Sequence, residues 1–415
     1  MKRNSYLWFS VIMGIFVSLF SCVLPAAETA ETSPFTWSWW RGENRDGLSP
    51  EKIMITRWEE GVSPVIWEAT VGVGYSAVSV DGDRAYTLGR FGELDAVVCL
   101  NALTGEQLWR FDFTPTGKAT PPGDEGPGST PAVAFGKVYA LGLNGEFFCL
   151  DATTGRELWS RKLMEQFGVK PCNYGFTGSP VILGSQVILD VGKTISFDKD
   201  TGNVLWETQD YGACYSTPMP FMRDQESLLA VFNATGLVIM SATEGKELFR
   251  QEWSVPGINN VNSTTPIIQN NLVFIGSAYE GGWGVIELWG EKKPPIIWRK
   301  QHESHMFATP VLLGGYLYGF DATTLVCMKM DTGEIQWSKR GLGKGTLISA
   351  DGKLIILGEN GVLAIAQAKA DEYVELGRTK ILAPICWALP SLSNGKLYCR
   401  NSKGRLVCVD LGGKR

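Results

Sequence analysis

"CLDATTGRELW", running from Cys149 to Trp159, sets a cysteine, a turn and a tryptophan close together. Either this is a reactive thiol beside a turn, or it is one copy of a building unit. The string recurs as "CLNALTGEQLW" from Cys99 to Trp109, "SFDKDTGNVLW" ending at Trp206, "MSATEGKELF" ending at Phe249 and "CMKMDTGEIQW" ending at Trp337. Weaker copies, "EKKPPIIW" ending at Trp298 and "KADEYVEL" ending at Leu376, fall where further units are due. A period of roughly 40 to 50 residues is that of propeller blades rather than of shorter helical repeats.

A second signal keeps phase with the first. Small residues precede a proline in "GSTP" at Pro131, "TGSP" at Pro180, "YSTP" at Pro218, "STTP" at Pro266, "FATP" at Pro310 and "WALP" at Pro390. After each comes a β-rich run with Gly or Asn-Gly punctuation, such as "AVAFGKVYALG". In the D-x-x-T-G turn the Asp accepts backbone N–H groups and the Gly supplies the left-handed conformation of a tight hairpin. The aromatic residue four positions later falls on an outer strand, where a large flat ring can wedge against the next blade. Trp67, Trp109, Trp159, Trp206, Phe249, Trp298 and Trp337 are therefore assigned structural docking roles.

Units trace at 75–111, 129–162, 176–208, 215–252, 262–300, 306–339, 345–379 and 387–411. The last lacks an outer strand, whereas "SPVIWEATVG", with Trp67, is an orphan strand ahead of the first. Pairing of that N-terminal strand with the C-terminal blade would close the ring and remove two exposed edges. The predicted fold is all-β, an eight-bladed β-propeller of four-stranded antiparallel blades over residues 63–415. Residues 28–62 form a lead segment and 1–27 a signal peptide.

The signal is read from Lys2 and Arg3, the apolar run Leu7 to Phe20, and the small residues near Ala26. "LFSC", ending at Cys22, is close to a lipoprotein box, so a lipid at Cys22 or an uncleaved signal is the one expected route to a membrane. A periplasmic or extracellular location follows. Export permits disulfides, yet Cys99, Cys149, Cys327 and Cys408 share one slot in different blades and are read as small core residues. A disulfide among the loop cysteines Cys172, Cys214 and Cys386 stays open.

A net charge of -5 and 20% charged residues leave no basic surface for a nucleic acid. The chain has two histidines, His302 and His305, with no third ligand evident, so no metal site is assigned. No nucleophile elbow, phosphate loop or C-x-x-C pair appears, and no catalytic residue is assigned.

The "A-x-T-G-x-x-x-W" repeat resembles the tryptophan-docked repeats of the pyrroloquinoline-quinone-like propeller superfamily, over residues 67 to 411. The lead "WSWWRGENRDGLSPE", Trp37 to Glu51, looks like the segment preceding the propeller in exported bacterial members. Two branches imply two functions. One, similar to β-barrel assembly machinery lipoprotein B, implies a non-catalytic scaffold that binds envelope or secreted proteins, with no cofactor and as a monomer. The other, the alternative, implies a quinoprotein dehydrogenase holding pyrroloquinoline quinone (PQQ) and calcium against a disulfide of adjacent cysteines. No two cysteines are adjacent in this chain.

Residues just ahead of the inner strands crowd one channel mouth in such folds. Here they are Tyr75, Tyr174, Phe176, Tyr215, Asn262, His305, Phe307 and Trp387, which either grip a ligand or pack as a plug. Two inserts, Thr114 to Gly128 and Tyr279 to Pro295, are expected as loops or modified hairpins on the rim, with Trp283 and Trp289, if exposed there, as partner contacts.

Overall fold

A computed structural model describes residues 36–54, 57–58, 64–116, 126–253, 261–278, 281–289, 296–300 and 308–412. The expected signal peptide with Cys22, both histidines and Phe307 lie outside the described residues. Seven four-stranded sheets and one five-stranded sheet make an eight-bladed propeller. Blade 1 shows the pattern: Ser79–Asp81, Arg84–Phe91, Leu94–Asn101 and Gln107–Phe113 pair antiparallel in chain order. Among the described residues the single helix is the short Leu163–Phe167, and no helix is long and apolar enough to cross a membrane.

The ring closes as the orphan strand demands. Val65–Thr70 pairs antiparallel with Arg405–Asp410, which places Trp67 opposite Cys408 in the blade that also holds Tyr398. A second seal is Arg400, buried to 1% exposure, whose guanidinium donates to the carbonyls of Gly72, Ser76 and Leu88 and to Thr87 Oγ1 across the closure.

Each turn of the repeat is built as its residues dictate. Asp151 Oδ1 accepts from the backbone N–H of Thr153 and Thr154 and from the Thr154 hydroxyl, and Gly155 follows at φ 73°. Asp198 and Gly202 repeat the arrangement. These hydrogen bonds stabilise the carboxylate and hold the Asp151 pKa below its usual value.

The tryptophans then join blade to blade. Trp67 donates its indole N–H to Ala102 O, Trp109 to Ala152 O, Trp159 to Lys199 O and Trp298 to Met330 O, each in the following blade. Their rings lie on Gly105, Gly155, Gly202 and Gly333, where a Cβ would stand 2.5–2.8 Å from the indole. The glycine thus serves twice, as a left-handed turn residue and as a flat seat for the preceding blade.

The shared cysteine slot has a direct cause. Tyr86, Cys99 and Trp109 face one another in register across three strands, as do Tyr139, Cys149 and Trp159, and Tyr318, Cys327 and Trp337. Each Tyr and Trp ring meets over the thiol at 5.9–6.0 Å between centroids, leaving space only for a small side chain. In blades 1 and 2 both rings donate to one carbonyl of the next blade. Burial raises the Cys149 thiol to about 12, so this sulfur is a packing atom and not a nucleophile.

Candidate functional site

The lead segment is a plug. Trp37, 2% exposed, makes an antiparallel bridge with Val80 of blade 1, and Ser38 O accepts from Val133 N of blade 2. Arg45 donates to Ile182 O of blade 3 while stacking on Trp39, and Trp40 Nε1 donates to Thr265 Oγ1 leading into blade 5. Arg41 is buried without a carboxylate partner in its hydrogen-bond set. It donates to Thr309 O and Pro310 O of blade 6 at 2.9 and 2.8 Å, and to its own turn at Arg45 O and Asp46 O. Desolvation lowers its pKa to about 10, which leaves it a cation at neutral pH. Leu48–Ser49 then adds a parallel strand to Gly345–Ala350 of blade 7, and Glu51 accepts from Gly395 N of blade 8.

Backbone groups on and beside the inner strands, carbonyls and N–H groups alike, are the partners this segment satisfies. The plug leaves by the face that carries the turn at Gly395. Trp40 forms part of the floor of a pocket at the opposite mouth.

That pocket has a cavity volume of about 70 Å³ and is lined by Tyr75, Tyr174, Tyr215 and Trp387 with Trp40, Leu143 and Leu389. Two aromatic pairs shape it. Tyr75 stacks on Trp387 at 5.6 Å, and Trp387 Nε1 donates to Glu359 at 2.9 Å. Across the mouth, Tyr174 leans on Tyr215 at 5.9 Å, and the Tyr215 hydroxyl accepts from Tyr174 N. Burial pushes the Tyr215 phenol pKa up, so it stays a neutral donor and acceptor. The remaining polar lining is hydroxylic: Thr177, Thr217, Ser263 and Thr265. Such a wall suits an apolar or aromatic group flanked by a few hydrogen-bonding atoms.

Four of the expected mouth residues, Tyr75, Tyr174, Tyr215 and Trp387, therefore come together. Phe176 does not join them. At 1% exposure it packs with Leu163 and Phe197 between blades 2 and 3, because its N–H is tied to Leu143 O and its ring turns inward. Asn262 is also fully buried, donating to Asn233 O at 2.6 Å and through its backbone N–H to the Cys214 sulfur. His305 and Phe307 lie outside the described residues.

Within the insert from Tyr279 to Pro295, Gly282–Glu287 is the third strand of blade 5. Trp283 is 4% exposed and packs on Phe274, so it offers nothing to a partner. Its glycine-rich surroundings are packing devices: a Cβ on Gly276 would stand 2.6 Å from Trp283, and one on Gly284 2.3 Å from the buried Trp253. Trp289 is half-buried under the Arg223 guanidinium, 3.8 Å from its ring centroid. The other insert is described at 114–116 and 126–128, where Gly126 and Gly128 line the pocket.

PQQ carries several carboxylates, so a quinone with calcium needs cationic groups and clustered oxygen ligands. The pocket's lining contains no Lys, Arg, Asp or Glu, and no group of three or more His, Cys, Asp or Glu converges among the described residues. The side chains described here do not fit that pair.

The fold and its site define a propeller of tryptophan-docked blades, plugged by its own N-terminal lead and open to a ligand at one aromatic mouth. The family described as outer membrane protein assembly factor BamB matches residues 93–339, and the chain belongs to it. The chain is 21% identical over 298 residues to outer membrane protein assembly factor BamB of Yersinia pestis, covering 68% of this chain and 73% of that protein. It is also 27% identical over 188 residues to a quinoprotein ethanol dehydrogenase of Pseudomonas putida, covering 42% of this chain and only 28% of that enzyme. The crystal structure of BamB from Moraxella catarrhalis superposes with a TM-score of 0.60 at 14% identity, covering 83% of this chain and 99% of that one.

Proposed function

We propose that the protein is a non-catalytic binding scaffold of the bacterial cell envelope, exported to the periplasm or anchored at a membrane surface, that engages a protein partner through the Tyr75, Tyr174, Tyr215 and Trp387 mouth. The observation that carries this is the chemistry of the mouth: aromatic and hydroxylic side chains over a floor supplied by the chain itself, with no acid, base or metal-ligand set in its lining among the described residues. Surfaces of this kind hold an inserted aromatic or aliphatic side chain of a partner, where large buried anchors supply most of the affinity. Membership of the BamB family supports the same reading, since the name describes an outer membrane protein assembly factor.

The dehydrogenase alternative is kept in view by the quinoprotein relative, which this chain spans only in part. Titration of the full chain with PQQ and calcium, followed by tryptophan fluorescence and dye-linked alcohol oxidation, separates the two. The scaffold predicts no saturable quenching and no turnover. Saturable binding with turnover would replace it.

A further inference from the structure

Beside the pocket, two loops from different blades bring a pair of thiols together. Cys172 ends the segment that follows the blade 2 helix, in a tight turn closed by Gly175 N donating to Cys172 O at 2.8 Å. Cys214 lies in the loop leading into blade 4. The Cys172 thiol donates to the carbonyl of Ala213, next to Cys214 in the chain, at 2.8 Å. Both pack in one small cluster with Tyr174, Tyr215, Val261 and Ala278.

We propose that Cys172 and Cys214 form a disulfide that locks the Tyr174 and Tyr215 wall of the pocket, going beyond the scaffold reading to a redox-dependent mouth. Three observations converge on it. The cysteine at 172 is partly exposed, whereas Cys214 is 2% exposed, so an oxidant meets one sulfur first and the second resolves from within. The Cys172 thiol bonds directly to the Cys214 loop, at Ala213 O, and the neighbouring Cys214 lowers its pKa, which eases its deprotonation. The third loop cysteine, Cys386, is placed elsewhere, bonded to Ala383 O and close to Cys399.

The chemistry balances with an external disulfide as oxidant. The Cys172 thiolate attacks that disulfide, forming a mixed disulfide and expelling one thiolate. The Cys214 sulfur, losing its proton, then attacks the Cys172 sulfur and expels the second. Two electrons pass to the external disulfide, which leaves as two thiols, and the two protons lost by the cysteines go to them. The bond would close a loop around all of blade 3 and tie Tyr174, two residues on from Cys172, to Tyr215, one residue on from Cys214.

The test uses the full chain, reduced and then equilibrated with oxidised and reduced glutathione, followed by alkylation and non-reducing peptide mapping. A peptide joining Cys172 to Cys214 is expected, with a mass loss of about 2 Da and two fewer alkylated thiols. In Cys214→Ser the linkage is lost and Cys172 instead carries glutathione. Both residues alkylated at every glutathione ratio, or Cys172 joined to any cysteine but Cys214, would overturn the proposal. The readout is a covalent bond, so it stands or falls independently of what the pocket binds.

Discussion

Trp109 of blade 1 lies flat on Gly155 of blade 2, with its indole N–H donating to Ala152 O at 3.1 Å. The relationship converts a local sequence motif into a joint between blades. It also separates two costs that usually travel together. Gly155 and Gly136 share nearly the same backbone, at φ 73° and 72°, but a Cβ on Gly136 meets nothing within 4 Å whereas one on Gly155 meets the indole at 2.6 Å. Gly136→Ala should therefore cost about 1 kcal/mol of left-handed strain. Gly155→Ala should cost that and roughly 1–3 kcal/mol more for overpacking. Urea unfolding of both variants measures the difference, and equal losses would mean the joint has no steric content.

The plug rests on Arg41. Replacing it with Ala leaves the carbonyls of Thr309 and Pro310 without their donor in a buried setting and should lower stability by about 3 kcal/mol or more. Arg110, in a half-exposed ion pair with Asp112, is the control, and its removal should cost under about 1 kcal/mol. Thermal unfolding compares the two.

Asp190 makes the protein's stability depend on pH. Burial raises its carboxyl to about 7, against hydrogen bonds from Thr194 and Gly192 and with the Asp210 charge adding to the rise. A carboxyl with a raised folded pKa binds its proton more tightly in the native state. Its contribution is therefore complete below about pH 4 and lost as the pH climbs to about 7. Asp190→Asn should remove that dependence, so the gap between variant and wild type widens in the variant's favour by roughly 2–4 kcal/mol across this window. Urea midpoints at pH 4 to 8 give the comparison.

Most of the architecture was legible because its signals are local. The D-x-x-T-G turn and the tryptophan after it recur at fixed spacing, and the strand of Trp67 had no partner until Arg405–Asp410 was left short of one. The plug was not legible. Arg41 reaches Thr309 across 268 positions, and its acceptors are backbone carbonyls, which carry no residue signature.

The site was legible in part. Tyr75, Tyr174, Tyr215 and Trp387 were found from their place ahead of inner strands, while Trp40 was missed because it arrives on the plug. Phe176 and Asn262 occupy the same kind of position but turn inward, a rotation decided by the neighbouring blade. In blade 5 the glycines around Trp283 imitate a loop, though they exist to make space for Trp283 and Trp253.

The central claim is that the aromatic mouth meets a protein partner. Photo-crosslinking tests it directly, with p-benzoylphenylalanine placed at Tyr174 and, as control, at Phe135, which is 70% exposed at the turn before Lys137 on the other face. In envelopes of cells making the full chain, position 174 should give one discrete protein adduct that Trp387→Ala abolishes, and position 135 should give none. No adduct at 174, or the same adducts from both positions, would contradict the account.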